Sequence, residues 1–425
     1  MNHTQTCFAI SRRATSSAST PSALDVVIID EELPYPLLSG KRLRTLGLLS
    51  RLARRHRLTY VCHRNADPEE ARQALAHFAD LGIRTLVVDR PTPPKKGLGF
   101  YARLVSNLFS PLPYSVATHT SAALRAALQR IAAQRSVDLW HVEWTPYAQS
   151  LVGLPGRRLV MAHNVESVIW QRYHETEPSL LKRWYISRQW HKMRRFEREI
   201  LRQANLTVAV SDLDARRFRN DLGVPRVEVV DNGVDTAFFC PDATQRRPEV
   251  LLFVGSLDWR PNQDAVRQLL DTIFPAVQAR VPQAELWLVG RNPPDGLRQA
   301  AQRPAVQLHA TVPDVRPFLR QAGQLVVPLR VGGGSRLKIL EALACNTPVV
   351  STRVGAEGLH LENGRHLVQV ESIEEMAAAV VASINERERM EKITSQGREQ
   401  VLRLYDWDSL ADRLESLWQR CVRES

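Results

Sequence analysis

Twelve short runs rich in β-branched and other apolar residues, separated by segments of helical periodicity, constrain the fold of this chain more than any other feature of its sequence. In the first half strands are expected at Asp25–Asp30, Leu58–Cys62, Thr85–Asp89, Val137–Val142, Arg158–Met161 and Leu206–Val210. In the second half they are expected at Val250–Gly255, Ala284–Gly290, Ala305–His309, Gln324–Pro328, Thr347–Ser351 and His366–Val370. Strand, helix, strand in repetition builds parallel sheets, because parallel neighbours need a long crossover and the crossing helices then cover both faces. The chain is therefore expected to be α/β, with two doubly wound parallel-sheet domains. A length of 425 residues also suits two cores better than one.

The break between the two sets falls at Val229-Val230-Asp231-Asn232-Gly233-Val234-Asp235, followed by the polar stretch Pro241–Pro248. Asn-Gly is a turn former, so the domain boundary is expected near 230–248. The division is a leader over 1–23, a first domain over 24–235, a second over 236–405, and a helix over 406–425 capped by Asp406 or Asp408.

The leader is rich in Ser, Thr and Ala but lacks the apolar run of a secretory signal, and reads as flexible. Hydrophobic residues at 44% and charged residues at 24% are the balance of a globular protein, and no run of eighteen apolar residues offers a membrane span. Five scattered cysteines without a C-x-x-C pair fit a reducing cytoplasm, without disulfides or structural zinc. A net charge of +12 and a pI near 9.9 attract acidic partners: nucleotides, nucleic acid or anionic lipid. Charge alone does not choose among them.

The most informative stretch is Arg330-Val331-Gly332-Gly333-Gly334-Ser335-Arg336-Leu337-Lys338-Ile339-Leu340-Glu341-Ala342-Leu343-Ala344, directly after an expected strand. Three glycines let the backbone approach a ligand, Ser335 is placed to cap the following helix, and the free N–H groups there suit an anion. Arg336 and Lys338 fall in the first turn, where the helix dipole disfavours cations, so an anionic ligand is expected to outweigh that preference. Glu341 is a carboxylate within an apolar run. It either accepts hydrogen bonds from ligand hydroxyls, as ribose would offer, or forms an i, i+3 salt bridge with Lys338 on a surface helix.

Here the sequence resembles the retaining glycosyltransferases of family 4, which have the GT-B fold of two Rossmann-like domains facing a central cleft. The residues that carry the resemblance are the Gly-rich turn with its basic residues, Leu340-Glu341-Ala342, and Thr347-Pro348-Val349-Val350. To these are added Phe253-Val254-Gly255-Ser256, Trp259-Arg260-Pro261-Asn262, Leu288-Val289-Gly290-Arg291, the 231–235 segment and Tyr405-Asp406-Trp407. The resemblance implies a nucleotide diphosphate sugar, UDP- or GDP-linked, as donor substrate, with no further cofactor, no metal, and retention of anomeric configuration. It also implies a C-terminal helix that returns to the first domain.

Carried over position by position, Glu341 matches the second glutamate of the family's E-x7-E motif and is implied to bind the donor ribose. Arg336 and Lys338 are implied to be catalytic cations on the donor phosphates. Further donor contacts are implied at Gly255, Ser256, Arg260, Asn262, Gly290, Arg291 and Val312, and at Gly333, Gly334, Ser335 and Leu337. Two departures stand out. The family's lysine after the first strand of this domain is replaced by Arg260-Pro261-Asn262. The first glutamate of E-x7-E is Gly333, as in the branch with Gly-Gly-Gly-Ser/Thr-Arg-Leu-Lys, which leaves the donor sugar open.

In the first domain, His163 in Met161-Ala162-His163-Asn164-Val165-Glu166 follows an expected strand and so faces the cleft at the C-terminal sheet edge. It resembles the family's cleft histidine, with Asn164, Glu166 and Glu143 as neighbouring acceptor-side candidates. A structural histidine is the bland alternative. Gly40, Lys41 and Arg42 resemble the loop that borders donor phosphate and acceptor. A leaving diphosphate gains charge as the glycosidic bond breaks, and fixed cations with helix N–H groups stabilise that charge more than the intact donor. Asp212-Leu213-Asp214 has D-x-D spacing, but it follows Ser211 at a helix start, where acids are ordinary, and is not read as a metal site.

Between Leu180 and Arg202 stand eight Lys or Arg against two Glu, with Leu181, Tyr185, Met193, Phe196 and Ile200 at helical spacing. Such a helix suits the cytoplasmic face of an anionic membrane; a solvated domain helix is the alternative. Lys95-Lys96 before Phe100-Tyr101 and Leu104-Val105 is a second contact of this kind. The expected partners are thus a nucleotide sugar and a glycan or lipid-linked acceptor in cell-surface polysaccharide biosynthesis. A nucleic-acid partner is not expected, since no recognition motif accompanies the charge. A nicotinamide enzyme is disfavoured too, because the first strand runs into Glu31-Glu32-Leu33-Pro34 without a G-x-G-x-x-G turn. A catalytically silent GT-B scaffold, or a nucleotide-sugar-binding protein, is the alternative that Gly333 motivates. The sequence carries no signal for oligomeric state.

Overall fold

The computed structural model describes residues 23–37, 40–89, 97–330 and 336–424. The first sheet contains β1 (Asp25–Ile29), β2 (Arg57–His63), β3 (Arg84–Val88), β4 (Leu139–Val142), β5 (Arg157–Ala162), β6 (Leu206–Ala209) and β7 (Val227–Val229). The second contains β8 (Arg247–Val254), β9 (Glu285–Gly290), β10 (Val306–Ala310), β11 (Ala322–Val327), β12 (Val349–Thr352) and β13 (Val368–Val370). Spatial orders are β3-β2-β1-β4-β5-β6-β7 and β10-β9-β8-β11-β12-β13, and every pairing is parallel. This is the GT-B architecture of two Rossmann-like domains, and all twelve expected strands are present. β7 is an addition, a three-residue edge strand that pairs Val227 with Thr207.

In each sheet the order reverses between the first strand and its fourth neighbour, β1 with β4 and β8 with β11, and the crevice at such a switch point is where open α/β sheets bind ligands. β1 is buried along its whole length, as helices on both faces require. The helix Gly40–Leu52 follows β1 and turns Leu46, Leu49 and Leu52 into the core.

The C-terminal helix Trp407–Arg423 belongs to this first core. Asp406 caps it by accepting from the Asp408 N–H at 2.8 Å, and Trp407, Leu410, Leu414 and Trp418 pack against Gly40–Leu52 and β5. The Asn232-Gly233 pair forms no turn, contrary to expectation. The segment runs extended, and Val234 bridges Asp406 alongside it. Gly233 is required for close approach instead: a Cβ there would lie 2.4 Å from Leu410 Cδ1 and 2.6 Å from the Tyr405 carbonyl oxygen.

The helix Leu180–Gln203 differs from its membrane-surface reading over its second half. Met193, Phe196 and Ile200 are buried in the first domain, so only its N-terminal half leaves apolar groups in solvent. Among the described residues no helix is long and apolar enough to cross a membrane.

Candidate active site

At the C-terminal edge of the first sheet, Asp30 directly follows β1 and Glu143 directly follows the neighbouring β4. Lys41, one residue into its helix, reaches back to Asp30 at 2.5 Å and lies 5.4 Å from the Trp144 ring centroid. Burial lowers the Lys41 pKa, but Asp30, with help from Glu31 and Glu143, outweighs it and the net direction is upward. Lys41 therefore stays charged.

Glu143 is fully buried and organises the acceptor side. Its Oε2 accepts from His163 Nε2 at 3.0 Å and from Thr45 Oγ1 at 3.1 Å. His141 Nε2 lies 3.0 Å from Oε1, although its N–H is not aligned for a hydrogen bond. His141 Nδ1 in turn accepts the Trp418 indole N–H at 2.9 Å, which leaves the His141 proton on Nε2, toward the carboxylate. Burial pushes the Glu143 pKa up, yet the contacts with His141 and His163 carry it well below the ordinary carboxylate range. Burial lowers His163, partly opposed by Glu143 and reinforced by Arg44 and Lys41. Neutral His163 thus donates a hydrogen bond from Nε2–H to Glu143 and keeps Nδ1 as an acceptor.

Glu166 stands at the start of the helix Glu166–Thr176 and accepts from Trp144 Nε1 at 2.9 Å. Burial raises its pKa, with Trp144 and Asn164 opposing.

Arg44 was not expected. It is buried beneath this edge, donating to the carbonyl oxygens of Val230 at 2.6 Å and of Asp231. Burial lowers its pKa to about 10, and Glu143 and Asp231 oppose that. A charge inside the apolar periodicity of Leu43, Leu46 and Leu49 was the available signal, of the same kind that singled out Glu341.

On the second domain the helix Leu337–Ala344 follows β11 and buries Ile339, Leu340, Ala342, Leu343 and Ala344. It is no surface helix. Gly333, Gly334 and Ser335 lie outside the described residues, together with Val331 and Gly332. Arg336 occupies the N-cap position, in a left-handed conformation with φ 49° that costs an L-residue roughly 1–2 kcal/mol. Its side chain is buried, with Nη2 donating to the Val354 carbonyl at 2.9 Å and 3.8 Å from Glu357.

Lys338 donates to Asn262 Oδ1 at 3.0 Å and lies 4.4 Å from the centroid of the Phe253 ring. Asn262 passes the contact on to the Ser256 carbonyl at 2.8 Å. Gly255 has no room for a side chain: a Cβ would meet Asn262 Nδ2 at 2.7 Å and Lys338 Nζ at 2.9 Å. At Gly290 a Cβ would fall 1.8 Å from the Gly255 carbonyl oxygen. Arg291 donates to Ser256 Oγ at 2.8 Å.

Lys338 and Glu341 form no ion pair within 4 Å, and the Glu341 carboxylate receives no hydrogen bond from the described residues. The surface salt bridge is therefore not formed. Burial lowers Lys338 to about 7, with Arg336 adding to the effect and Glu341 opposing it, and burial raises Glu341 to about 7 against the pull of Lys338. Two groups whose charges their surroundings disfavour sit one helical turn apart.

A cavity of about 370 Å³ lies between the domains. It brings together Gly40, Lys41, His163 and Asn164 from the first domain with Arg336, Glu357 and Gly358 from the second, with Asp231, Asn232 and Tyr405 of the two chain crossings also on its wall. Lys338, Glu341 and Gly255 lie outside its wall as a separate cluster. Arg42 is not brought to the cavity: it pairs with Glu32 at 2.5 Å and Glu70 at 3.1 Å. Arg260 is exposed at a helix start, and Val312 and Leu337 are partly buried against the second core. Asp212 pairs with His360 at 3.3 Å, and Asp214 bonds Ser211 Oγ at 2.9 Å. Among the described residues no group of three His, Cys, Asp or Glu is placed to hold a metal ion.

Two parallel-sheet domains that meet over such a cleft define a GT-B protein with its polar groups gathered at both switch points. Residues 40–238 match the family model described as Glycosyltransferase Family 4, and residues 248–386 match Glycosyl transferases group 1. The chain thus carries, one after the other, the two glycosyltransferase domains that these models describe.

Among curated proteins it is 30% identical over 222 residues to a phosphatidyl-myo-inositol mannosyltransferase of Mycolicibacterium smegmatis, covering 50% of this chain and 56% of the relative. The alignment thus spans little more than half of that relative's length. It is 27% identical over 382 residues to a GDP-mannose-dependent alpha-(1-6)-phosphatidylinositol monomannoside mannosyltransferase of Mycobacterium tuberculosis, covering 78% of this chain and 97% of the relative. The solved structure of Anabaena HepE in complex with UDP superposes with a TM-score of 0.67 at 13% identity, over 93% of this chain and 100% of that one. A sucrose-phosphate synthase from Thermosynechococcus elongatus gives 0.65 at 18% identity, over 93% and 98%. At such identities the superpositions show the shared fold.

Proposed function

We propose that this chain is a retaining, metal-independent glycosyltransferase that moves a sugar from a nucleoside diphosphate to a glycan or lipid-linked acceptor at the cytoplasmic face of a membrane, in cell-surface polysaccharide biosynthesis. The observation that carries the donor assignment is the Lys338–Glu341 cluster. A lysine and a glutamate whose charges are disfavoured, and which do not neutralise each other by contact, gain most from a ligand with an anion for one and hydroxyls for the other. A diphosphate next to a ribose has both. The cluster also sits at the switch point of the second sheet, on the helix that follows the glycine run, where phosphate binding by backbone N–H groups is favoured.

In this reading Lys338 and Arg336 stabilise the charge that grows on the departing diphosphate, and Glu341 grips the ribose. His163, neutral and held by Glu143, accepts a hydrogen bond from a hydroxyl of the transferred sugar or the acceptor through Nδ1. Lys41 faces the same cavity as a fixed cation. The departing phosphate oxygen takes the acceptor's proton on the face from which it leaves, which accounts for retention. The printed names of the two mannosyltransferase relatives favour GDP-mannose as the first donor and a phosphatidylinositol-type acceptor as the first acceptor to try. The domain limits that serve this reading are 24–235 and 236–405.

The test is a thermal-shift panel of GDP- and UDP-sugars, followed by transfer assays with lipid extract in the presence of EDTA. One nucleotide sugar is expected to raise the melting temperature and be consumed without metal. Failure of every nucleotide sugar to bind, or turnover that EDTA abolishes, would contradict the proposal.

A further inference from the structure

The helix Leu98–Leu108 leaves a face uncovered. Leu98, Tyr101, Val105 and Phe109 are 90%, 63%, 57% and 88% exposed, and their spacing of three, four and four residues places them in one stripe along the helix. Single exposed apolar residues are ordinary, whereas a stripe of four in which two are almost wholly in solvent calls for an occupant.

The sequence that carries it is one-sided in charge. From Gly97 to Val137 there is no Asp or Glu, and the helix itself holds Arg103; of the later arginines Arg125 donates to the Val152 carbonyl and Arg135 pairs with Asp25. The helix docks through its own C-terminus onto the long basic helix, where Asn107 Oδ1 accepts from Gln189 at 3.0 Å and the Asn107 carbonyl accepts from Lys192 at 2.7 Å. That long helix is also free of acids from Leu180 to Phe196, and its first turns leave Leu180, Leu181 and Trp184 at 79%, 76% and 48% exposure.

We propose that the face bearing Leu98, Tyr101, Val105 and Phe109 inserts into an anionic lipid bilayer, with the basic N-terminal half of Leu180–Gln203 as its electrostatic partner. A protein partner would be matched by charges of both signs along the apolar stripe; two segments, 97–137 and 180–196, that carry basic residues and no acids are complementary to a uniformly anionic plane. The proposal rests on the reading that the acceptor is membrane-bound, and it names the surface that brings the enzyme to it. The cleft is close by in the fold, because the helix Glu166–Thr176 packs along Leu180–Gln203 and contributes Val168, Ile169 and Arg172 to the cavity between the domains. Docking by this face therefore presents the cleft near the lipid surface.

The experiment is cosedimentation of the full chain with phosphatidylcholine vesicles, with and without phosphatidylglycerol, at low and high salt. Wild-type protein is expected to bind the anionic vesicles at low salt. The double variant Leu98→Ser/Phe109→Ser should bind at least roughly tenfold more weakly, since two large apolar groups are lost from the interface. Phe238→Ser, which removes an exposed aromatic of the segment leading into the second sheet, should bind as wild type. Because Leu98 and Phe109 are in solvent, the double variant should melt at the wild-type temperature and turn over a soluble acceptor unchanged. Equal binding by wild type and double variant, or no wild-type binding to anionic vesicles, would overturn the proposal. So would concentration-dependent self-association, without lipid, that the double variant abolishes, since the face would then belong to a second copy. Intact vesicle binding by a protein that turns over no nucleotide sugar would instead remove the enzymatic reading and leave the docking face standing.

Discussion

Donor affinity is predicted to pass through a maximum near neutral pH, with Lys338 and Glu341 each responsible for one limb. In the free protein both groups titrate at about 7, because burial disfavours the ammonium of one and the carboxylate of the other. A bound diphosphate favours charged Lys338, and ribose hydroxyls favour ionised Glu341. Binding therefore selects the doubly charged pair. That pair holds one proton, and so does the neutral amine beside the neutral acid, so near pH 7 binding exchanges no net proton. Above 7 the free pair has lost its proton and binding must restore it to Lys338. Below 7 the free pair has gained a second proton and binding must expel it from Glu341. Each limb then costs up to about 1.4 kcal/mol per pH unit, a tenfold loss of affinity. Titration calorimetry with the intact nucleotide sugar identified by the thermal-shift panel, in two buffers of different ionisation enthalpy, reads both affinity and protons exchanged; the diphosphate diester does not itself titrate in this range. Lys338→Met should flatten the alkaline limb and, by deleting a charge-assisted contact, weaken binding by about 1.5–3 kcal/mol, or roughly ten- to hundredfold. Glu341→Gln should flatten the acid limb. Wild-type affinity that is level from about pH 6 to pH 9, or an alkaline limb that survives Lys338→Met, refutes the reasoning.

Three further substitutions separate the parts of the site. Glu143→Gln removes the carboxylate that fixes the His163 proton, and turnover should fall roughly ten- to hundredfold while the donor-induced thermal shift is kept; loss of both together would deny His163 its separate role. Gly290→Ala forces a methyl group to within 1.8 Å of the Gly255 carbonyl oxygen and should destabilise the second domain by about 3 kcal/mol or more, measured by urea unfolding; an unaltered midpoint would mean that the two strand ends are not packed as described. Trp418→Phe leaves His141 Nδ1 without its donor in the core, which should cost about 1–3 kcal/mol, and a melting curve indistinguishable from wild type would contradict that contact.

Periodicity and turn chemistry are local, and what they control was legible in the sequence. Both sheets and the helix after the glycine run followed from strands and the residues directly after them, whereas Gly255 and Asn262 were named beside Lys338 only through the family resemblance. β7 was missed because it is three residues long, carries Glu228 at its centre and lies at the sheet edge, where burial imposes little pattern. Asn232-Gly233 misled for a related reason: its glycine answers to Leu410 and Tyr405, distant in sequence, and not to a local turn. The Trp418–His141 contact spans 277 residues, and no local rule reaches so far. Arg42 and Arg44 show the limit most clearly. They are neighbours in sequence at the resembled loop, yet helical rotation sends the first to Glu32 and Glu70 and the second to the carbonyls of Val230 and Asp231.

The buried charge of Arg44 also bears on how Glu143 should be understood. An interior guanidinium needs acceptors for its protons and an anion near enough to offset desolvation. The Val230 and Asp231 carbonyls supply the acceptors, and Glu143 heads the charges that oppose its loss of solvent. Glu143 therefore does two things at once. It holds the His163 proton on the cleft side, and it balances a cation that pins the chain crossing between the domains, where Val234 bridges Asp406 and Thr236 bonds the same aspartate. A glutamine in its place can turn only one acceptor oxygen toward His163 and Thr45, without the charge that strengthens that contact, and it removes the balance, so loosening of the crossing would appear as lower stability with donor binding intact. An alanine would remove both and could not tell them apart. Only the glutamine variant, with stability and turnover measured on the same preparation, distinguishes a carboxylate that orients the histidine from one that serves the fold alone.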